Sequence, residues 1–448
     1  MRSNTGSPHR TTRWARPALA ITVPAVAAAL LVAGCSSSGS SSASSSASSS
    51  GTSSASASAT GAGAGATSSS GSGNASALAA GTKNVSGADP VVIGVLYTDD
   101  NPIGIAPEIK SAGEAAADYV NSHGGVGGRP VKIVPCNGMN NAQNDAQCAT
   151  QFVNSGVVTV EGLDGFWGGV GVSIIGKAGI ANQTLPISGP EFSAPNAYPW
   201  EGSGVTASAA AASYFVQQKL ASACAYQDIP SFQEQCVDDF QKPAVALGAK
   251  SPQLVTIPPT ANDLSQYAAK LQQTGAKGVL VVAGDPATPN LIQAAAQIGY
   301  KPQWILPSQQ PDFFKAVGAD ANGAIFYDDL VDSSDTTNAD AAVFRAAMAK
   351  WAPGAVLDAF SIMTFSNIVT LARLGDQVGG DKITRANLPA VLGQIKNLPQ
   401  FMGPTLNAST HLPGLPHALH TGAYLYQWNG TSYSVAGTGY YIVPGSTS

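Results

Sequence analysis

The chain has 448 residues, 11% of them charged, with 22 Lys+Arg against 27 Asp+Glu and a formal net charge of −5. That length exceeds one ordinary core and predicts two domains once the first fifth, poor in core-forming residues, is set aside. Removing residues 1–34 takes four arginines with it and leaves a net charge of −9, which excludes nucleic acid and anionic lipid as partners of the folded part.

Residues 2–16 carry Arg2, Arg10, Arg13 and Arg16 and no acid, and the apolar run "ALAITVPAVAAALLVAG" follows. The run holds a proline and is shorter than the ~20 residues a membrane span requires, so it reads as a secretory signal segment. Its ending, "LVAGC", resembles the bacterial lipobox, which implies lipid attachment at Cys35 and a membrane partner through that anchor. A plain cleavage site with an accidental cysteine is the competing reading. Ser36 to Ala88 is almost wholly Ser, Ala, Gly and Thr and reads as a flexible tether, its 53 residues reaching about 40 Å as a coil.

From Pro90 onward short apolar strands alternate with helical stretches. "VVIGVLYT" predicts a buried strand and "APEIKSAGEAAADYVNSH" an Ala-rich helix; "RPVKIVPC", "VVTVEG" and "TLPISGP" predict three more strands. A second series begins with the helix "ASAAAASYFVQQKL" and runs through "ASACAY", "EQCVDDFQKPAVAL", "SPQLVTI" and "GVLVVAG" to "QWILPS". Such alternation means βαβ units and parallel sheets covered by helices, here in two successive α/β halves.

The glycine-rich "HGGVGGRP" invites comparison with a phosphate-cradling loop. Phosphate loops run from strand to helix, whereas this one leaves a helix C-terminus, the wrong end of the dipole for an anion. Gly124 and Gly125 supply a left-handed cap and Gly127–Gly128 a tight turn, so the loop is structural.

Besides Cys35, four cysteines remain, Cys136/Cys148 and Cys224/Cys236, each pair separated by eleven residues. In an exported chain this reads as two local disulfides worth about 3 kcal/mol each, although four cysteines formally allow three connectivities. A four-thiolate metal site is the rival, weakened by the absence of any C-x2-C pair.

The helix running into "GGVGGRPVKIV", together with "DLSQYAAKLQQTGAKGVLVVAG", "AAAQIGYKPQWILPS" and "FMGPTLNASTHLPGLPHALHTGAYLYQWNG", resembles the type I periplasmic binding proteins, specifically the Leu/Ile/Val substrate-binding family of ABC transporters. The resemblance implies two Rossmann-like lobes joined by three crossovers, placed near Gly202–Gly204, Asp328–Val331 and Gly403–Leu406. It divides the chain into a signal segment (1–34), a tether (35–88), a first lobe (89–203 and 331–403) and a second (204–330 and 404–448). It also implies a monomeric, extracytoplasmic receptor that binds a small molecule and delivers it to a permease, without cofactor or metal.

Ligands of open α/β sheets sit beyond the carboxyl ends of strands, so the loops there hold the candidates. After the first strand Tyr97 and Asp99 face either the cleft or solvent. Phe166 and Trp167 stand in a glycine-flanked loop where the family often offers serines, and read as ligand or lobe-closing contacts. The resemblance carries a donor role onto Ser193 and leaves Glu191 open between ligand partner and helix-end acid. Phe232 falls where the family places an aromatic. Asp285 is either a ligand partner or an N-cap before Pro286. Ser308, beside Gln309, replaces an acid that pairs an amino-acid ammonium in many members, which points to a ligand other than an α-amino acid unless Asp285 or Glu191 takes that role. Phe360 resembles a cleft wall, with a core position as the alternative.

Enzymatic rivals lack support: there is no G-x-S-x-G elbow and no H-E-x-x-H. His411, His417 and His420 suggest a metal receptor, but no neighbouring Cys or acid completes a site in sequence. A sensor ectodomain of the same fold is the remaining alternative, although the chain ends at "YYIVPGSTS".

Overall fold

The computed structural model describes residues 87–99, 106–163, 169–187, 189–284, 287–307 and 311–446. The signal segment, Cys35 and the tether up to residue 86 lie outside them, as do Phe166, Trp167, Asp285 and Ser308.

In the first lobe, strands β1 (Val91–Tyr97), β2 (Val131–Asn137), β3 (Thr159–Gly162) and β4 (Ala181–Asn182) form a parallel sheet in the order β2-β1-β3-β4. Sequence analysis places the fourth strand at "TLPISGP", but the ladder forms earlier and leaves only a single bridge at Leu185. Pro186, next in the chain, has no N–H to extend that ladder. Along β1 the side chains alternate. Val91, Ile93 and Val95 enter the main core of the lobe, and Leu96 joins the cluster on the opposite face with Phe152, Val160 and Ile175. Gly94 is needed there, because a Cβ at that position would come within 2.9 Å of the Phe152 ring.

The second lobe repeats the layout. Strands β5 (Ser222–Gln227), β6 (Gln253–Ile257), β7 (Gly278–Val282), β8 (Gln303–Pro307) and β9 (Ile325–Asp328) run parallel in the order β6-β5-β7-β8-β9. A two-stranded ladder, β10 (Leu398–Pro399) with β11 (Thr405–Leu406), belongs to the first lobe. The hairpin β12 (Gly422–Trp428) and β13 (Tyr433–Ile442) then adds antiparallel to β9. Ala223, Ala225, Val279 and Val281 pack on one face of this sheet, and Cys224, Tyr226, Leu280 and Val282 on the other. In both parallel sheets the strand order therefore reverses at the equivalent place, between β1 and β3 and between β5 and β7.

The helix Ala359–Val378 runs through the first lobe and is buried on nearly all sides. Several of its polar residues are matched within the lobe: Ser366 donates to Phe401 O (2.5 Å), Thr370 accepts from Phe401 N (3.0 Å), and Arg373 holds Asp340 through two contacts of 2.9 and 3.2 Å. The glycine loop behaves as its sequence context suggests. Gly124 and Gly125 have positive φ, and Arg129 leaves the turn to donate to Gly380 O (3.0 Å) and Ile383 O (2.7 Å).

Disulfides join Cys136 of β2 to Cys148, and Cys224 of β5 to Cys236, each tying a strand to the helical segment after it. That second segment is not the continuous α-helix its periodicity predicts. It runs Pro230–Glu234, then a π-helical stretch Gln235–Gln241, then Lys242–Ala246. Pro243 lacks the N–H an unbroken α ladder requires, and the wider turn absorbs the irregularity.

Candidate functional site

Three passages connect the lobes. The first, through Trp200–Ser203, leads into the helix Ser203–Gln217; the second leaves β9 at Asp328; the third lies between Leu406, packed in the first lobe, and Gly422, where β12 begins. This third passage falls further along the chain than Gly403–Leu406, because Phe401, Met402 and Leu406 are all buried in the first lobe's core.

Buried polar groups tie the passages together. Asp329 accepts from Ser203 N (2.8 Å) and Thr206 Oγ1 (2.7 Å), holding Ser203 at φ +46°, a conformation unfavourable for a residue with a Cβ. Glu201 accepts from Asn367 Nδ2 and Gln400 Nε2, both at 3.1 Å, and Gln400 also donates to Trp200 O (3.2 Å). His420 Nδ1 sits 3.3 Å from the Gln400 oxygen, and burial holds its imidazole below the usual range, hence neutral. Burial pushes Glu201 and Glu161 well above the usual carboxylate range, and the Glu201 charge raises Glu161 further. The Asn367 side chain acts on Glu161 in the opposite sense, but burial outweighs it and favours the neutral acid.

Beside these passages, at the carboxyl ends of both parallel sheets, lies a cavity of about 180 Å³. The first lobe contributes Leu163, Leu185, Ile187, Phe360 and Met363 to its wall, and the second Phe232, Val282, Pro307 and Tyr327. Glu201, Asp328, Asp329 and Asp358 supply its charge-bearing groups. A second cavity of about 580 Å³ shares Ile187, Gly204 and Gln235 with the first. Though larger, it lies against the π-helical turn and the Leu412–Leu415 loop, away from the strand ends, and the smaller one is the better candidate. Between them Gly204 has no side chain because a Cβ would strike the Gln235 amide at 2.2 Å.

The residues singled out from sequence separate into groups. Phe232 and Phe360 line the smaller cavity, the former 5% exposed and the latter half-buried. Ser193 is exposed, donates to Gly189 O (2.8 Å) and borders the larger cavity. Glu191 is buried, and its carboxylate accepts from the Ile187 backbone within its own turn. Tyr97 and Asp99 are half-buried at the end of β1 and touch neither cavity; Asp99 N donates to Asn137 Oδ1 (3.1 Å). His411 and His417 bond to backbone carbonyls, and no group of His, Cys, Asp and Glu among the described residues has metal-binding geometry. Sequence reasoning missed Glu201 and the Asp328–Asp329 pair as cavity residues. The available signal was an acid at or beside two of the three predicted crossovers, in "PWEGSG" and "YDDLV".

A family profile for periplasmic binding proteins matches residues 90–432. No curated relative matches the chain significantly. Among solved structures, a possible leucine/isoleucine/valine-binding protein from Rhodopirellula baltica is similar at 15% identity, covering 80% of this chain and 98% of that one (TM-score 0.65). The substrate-binding protein LivJ from Streptococcus pneumoniae, solved with isoleucine, is similar at 15% identity over 78% and 99% (TM-score 0.61). The leucine-binding protein LivK from Thermotoga maritima is similar at 14% over 79% and 99% (TM-score 0.62). With the paired α/β lobes, the strand-end cavity and this match over most of its length, the chain belongs to the periplasmic binding protein family.

Proposed function

We propose that the protein is an extracytoplasmic solute-binding receptor, held to the outer face of the membrane by lipid on Cys35, that captures a small molecule between its lobes and delivers it to an ABC transporter permease. One observation carries this reading: the apolar-walled cavity lies at the strand ends of both lobes, beside the three passages that join them. A ligand there touches both lobes only when they are close together, so its binding energy favours the closed arrangement and gives the permease a state to recognise. No bond is made or broken. Among the described residues no helix is long and apolar enough to cross a membrane, which suits attachment through the lipid. The tether then stands the domain off the bilayer.

The similar proteins named for leucine and isoleucine make branched-chain amino acids the first compounds to try. A thermal-shift screen against amino acids, amides, amines and aromatic acids identifies what stabilises the native state. X-ray scattering with and without the strongest stabiliser then tests closure, which predicts a smaller radius of gyration in the saturated protein. Superimposable profiles contradict the mechanism.

A further inference from the structure

The cavity wall carries four acids, Glu201, Asp328, Asp329 and Asp358, and no lysine, arginine or histidine among the described residues. The stretches 100–105, 164–168, 188, 285–286 and 308–310, which follow strands of the two sheets, contain no such residue in sequence either. A ligand carboxylate therefore meets no basic side chain from these segments. The helix Ala359–Val378 begins at the cavity, but its positive end is already occupied: Asp358 accepts from Ser361 N (3.0 Å) and Ser361 Oγ from Asp358 N (2.9 Å), a closed capping box.

The four acids are not equivalent. Asp358 caps its helix, Asp329 braces Ser203 and Thr206, and Glu201 is held by Asn367 and Gln400. Asp328 accepts from Leu330 N (3.2 Å) through one oxygen only. Its other oxygen, Oδ2, has no partner, although the residue is 8% exposed. A carboxylate buried without a partner is costly, and the compensation is a proton or a cation. The remaining wall is mostly apolar or aromatic, with Leu163, Leu185, Ile187, Phe232 and Phe360, and its other polar side chains, Asn140, Ser203, Gln235 and Tyr327, are uncharged.

We propose that this cleft selects a small organic cation with an apolar body and no carboxylate, such as an amine or amidinium, with Asp328 as its counter-ion. The proposal rests on the solute-binding reading above and narrows its ligand class. An α-amino acid brings a carboxylate that this wall leaves without a basic partner, whereas an amine of the same shape presents only the charge the wall is built to receive.

Calorimetric titration of the full chain with 3-methylbutylamine, 4-methylpentanoate and leucine provides the test. These probes share a branched apolar body and differ in carrying a cation, an anion or both. The expected result is amine binding at least tenfold tighter than either of the others, with Asp328→Asn weakening the amine by roughly tenfold to a hundredfold. Leucine or the acid binding as tightly as the amine overturns the proposal, as does binding of none of the three. Unchanged amine affinity in Asp328→Asn, checked for folding by near-UV circular dichroism, overturns Asp328 as counter-ion. Should that variant fail to fold, the ranking on the unaltered chain still decides. Scattering on the same samples separates the two readings. An acid that binds and contracts the protein keeps the receptor and removes the cation preference; an amine that binds without contraction does the reverse.

Discussion

Asp340 and Asp328 are both acids buried in this molecule, and the chain treats them in opposite ways. Asp340, in the core of the first lobe, is gripped by the Arg373 guanidinium at 2.9 and 3.2 Å and also accepts from Met402 N (3.2 Å). Asp328, where β9 leaves the second lobe, has only Leu330 N and otherwise faces further acids and tyrosines. At Asp340, where the buried carboxylate serves the fold, the sequence supplies a base. At the cleft it supplies none, and the compensation is left to protons or to ligand.

The largest effect expected from breaking that contrast is at the compensated site. Arg373→Met should destabilise the protein by about 3–5 kcal/mol, because it leaves Asp340 buried and unpaired, and should appear as a lower denaturation midpoint. Removal of Asp328's charge should cost little stability, and Asp328→Asn should leave the midpoint within about 1 kcal/mol of the parent while weakening amine binding. A midpoint shift as large as that of Arg373→Met would mean that Asp328 is structural after all.

A pH profile sharpens the same contrast. Glu161, Glu201 and Asp328 all have folded-state values raised by burial above their unfolded values, so the folded chain binds more protons than the unfolded one in the interval between. Stability is therefore fully present below about pH 4 as far as these groups are concerned, and declines as pH rises through their raised values. The groups acting on Asp328 are Asp329, Asp332 and Asp358, with Glu201, Tyr327, Tyr426 and Tyr433 also coupled to it, and all of these are acids or phenols. Asp239, beside the larger cavity and pushed up to about 7 by burial and by Glu234 and Asp238, acts in the same direction between about pH 4 and 7. Glu161→Gln should flatten the decline and gain about 1 kcal/mol near pH 8, measured by thermal melts across pH. An unchanged slope would show that Glu161 finds compensation on its own. The smallest effect expected is at Ser203, where glycine relieves the positive φ and should stabilise by a few tenths of a kcal/mol.

Much of the fold could be read from the chain because its signals are local. Strands such as "GVLVVAG" and the helices between them lie in sequence as they do in space, and the two disulfides each span one strand-to-helix connection. The break at Gln235–Gln241 was hidden because a π turn leaves no change in apolar spacing, only a proline after it. The polar centre at the passages was hidden for a different reason. Glu201 gains its partners from Asn367, 166 residues away, and from Gln400, 199 residues away, so nothing near it in sequence marks it as buried. Glu191 looked equally plausible from its loop, yet its carboxylate closes its own turn. Phe232 and Phe360 share a cavity wall that only the approach of two lobes creates.

The most direct test of the central claim is a distance between the lobes. Spin labels carried by unnatural residues at Lys132 and Lys270, both exposed and one in each lobe, leave the disulfides intact and report that distance by pulsed electron resonance. A single shifted distance on saturation with 3-methylbutylamine, reduced or lost in Asp328→Asn, is what the account predicts. The same distance distribution with and without bound amine would contradict capture by closure of the cleft.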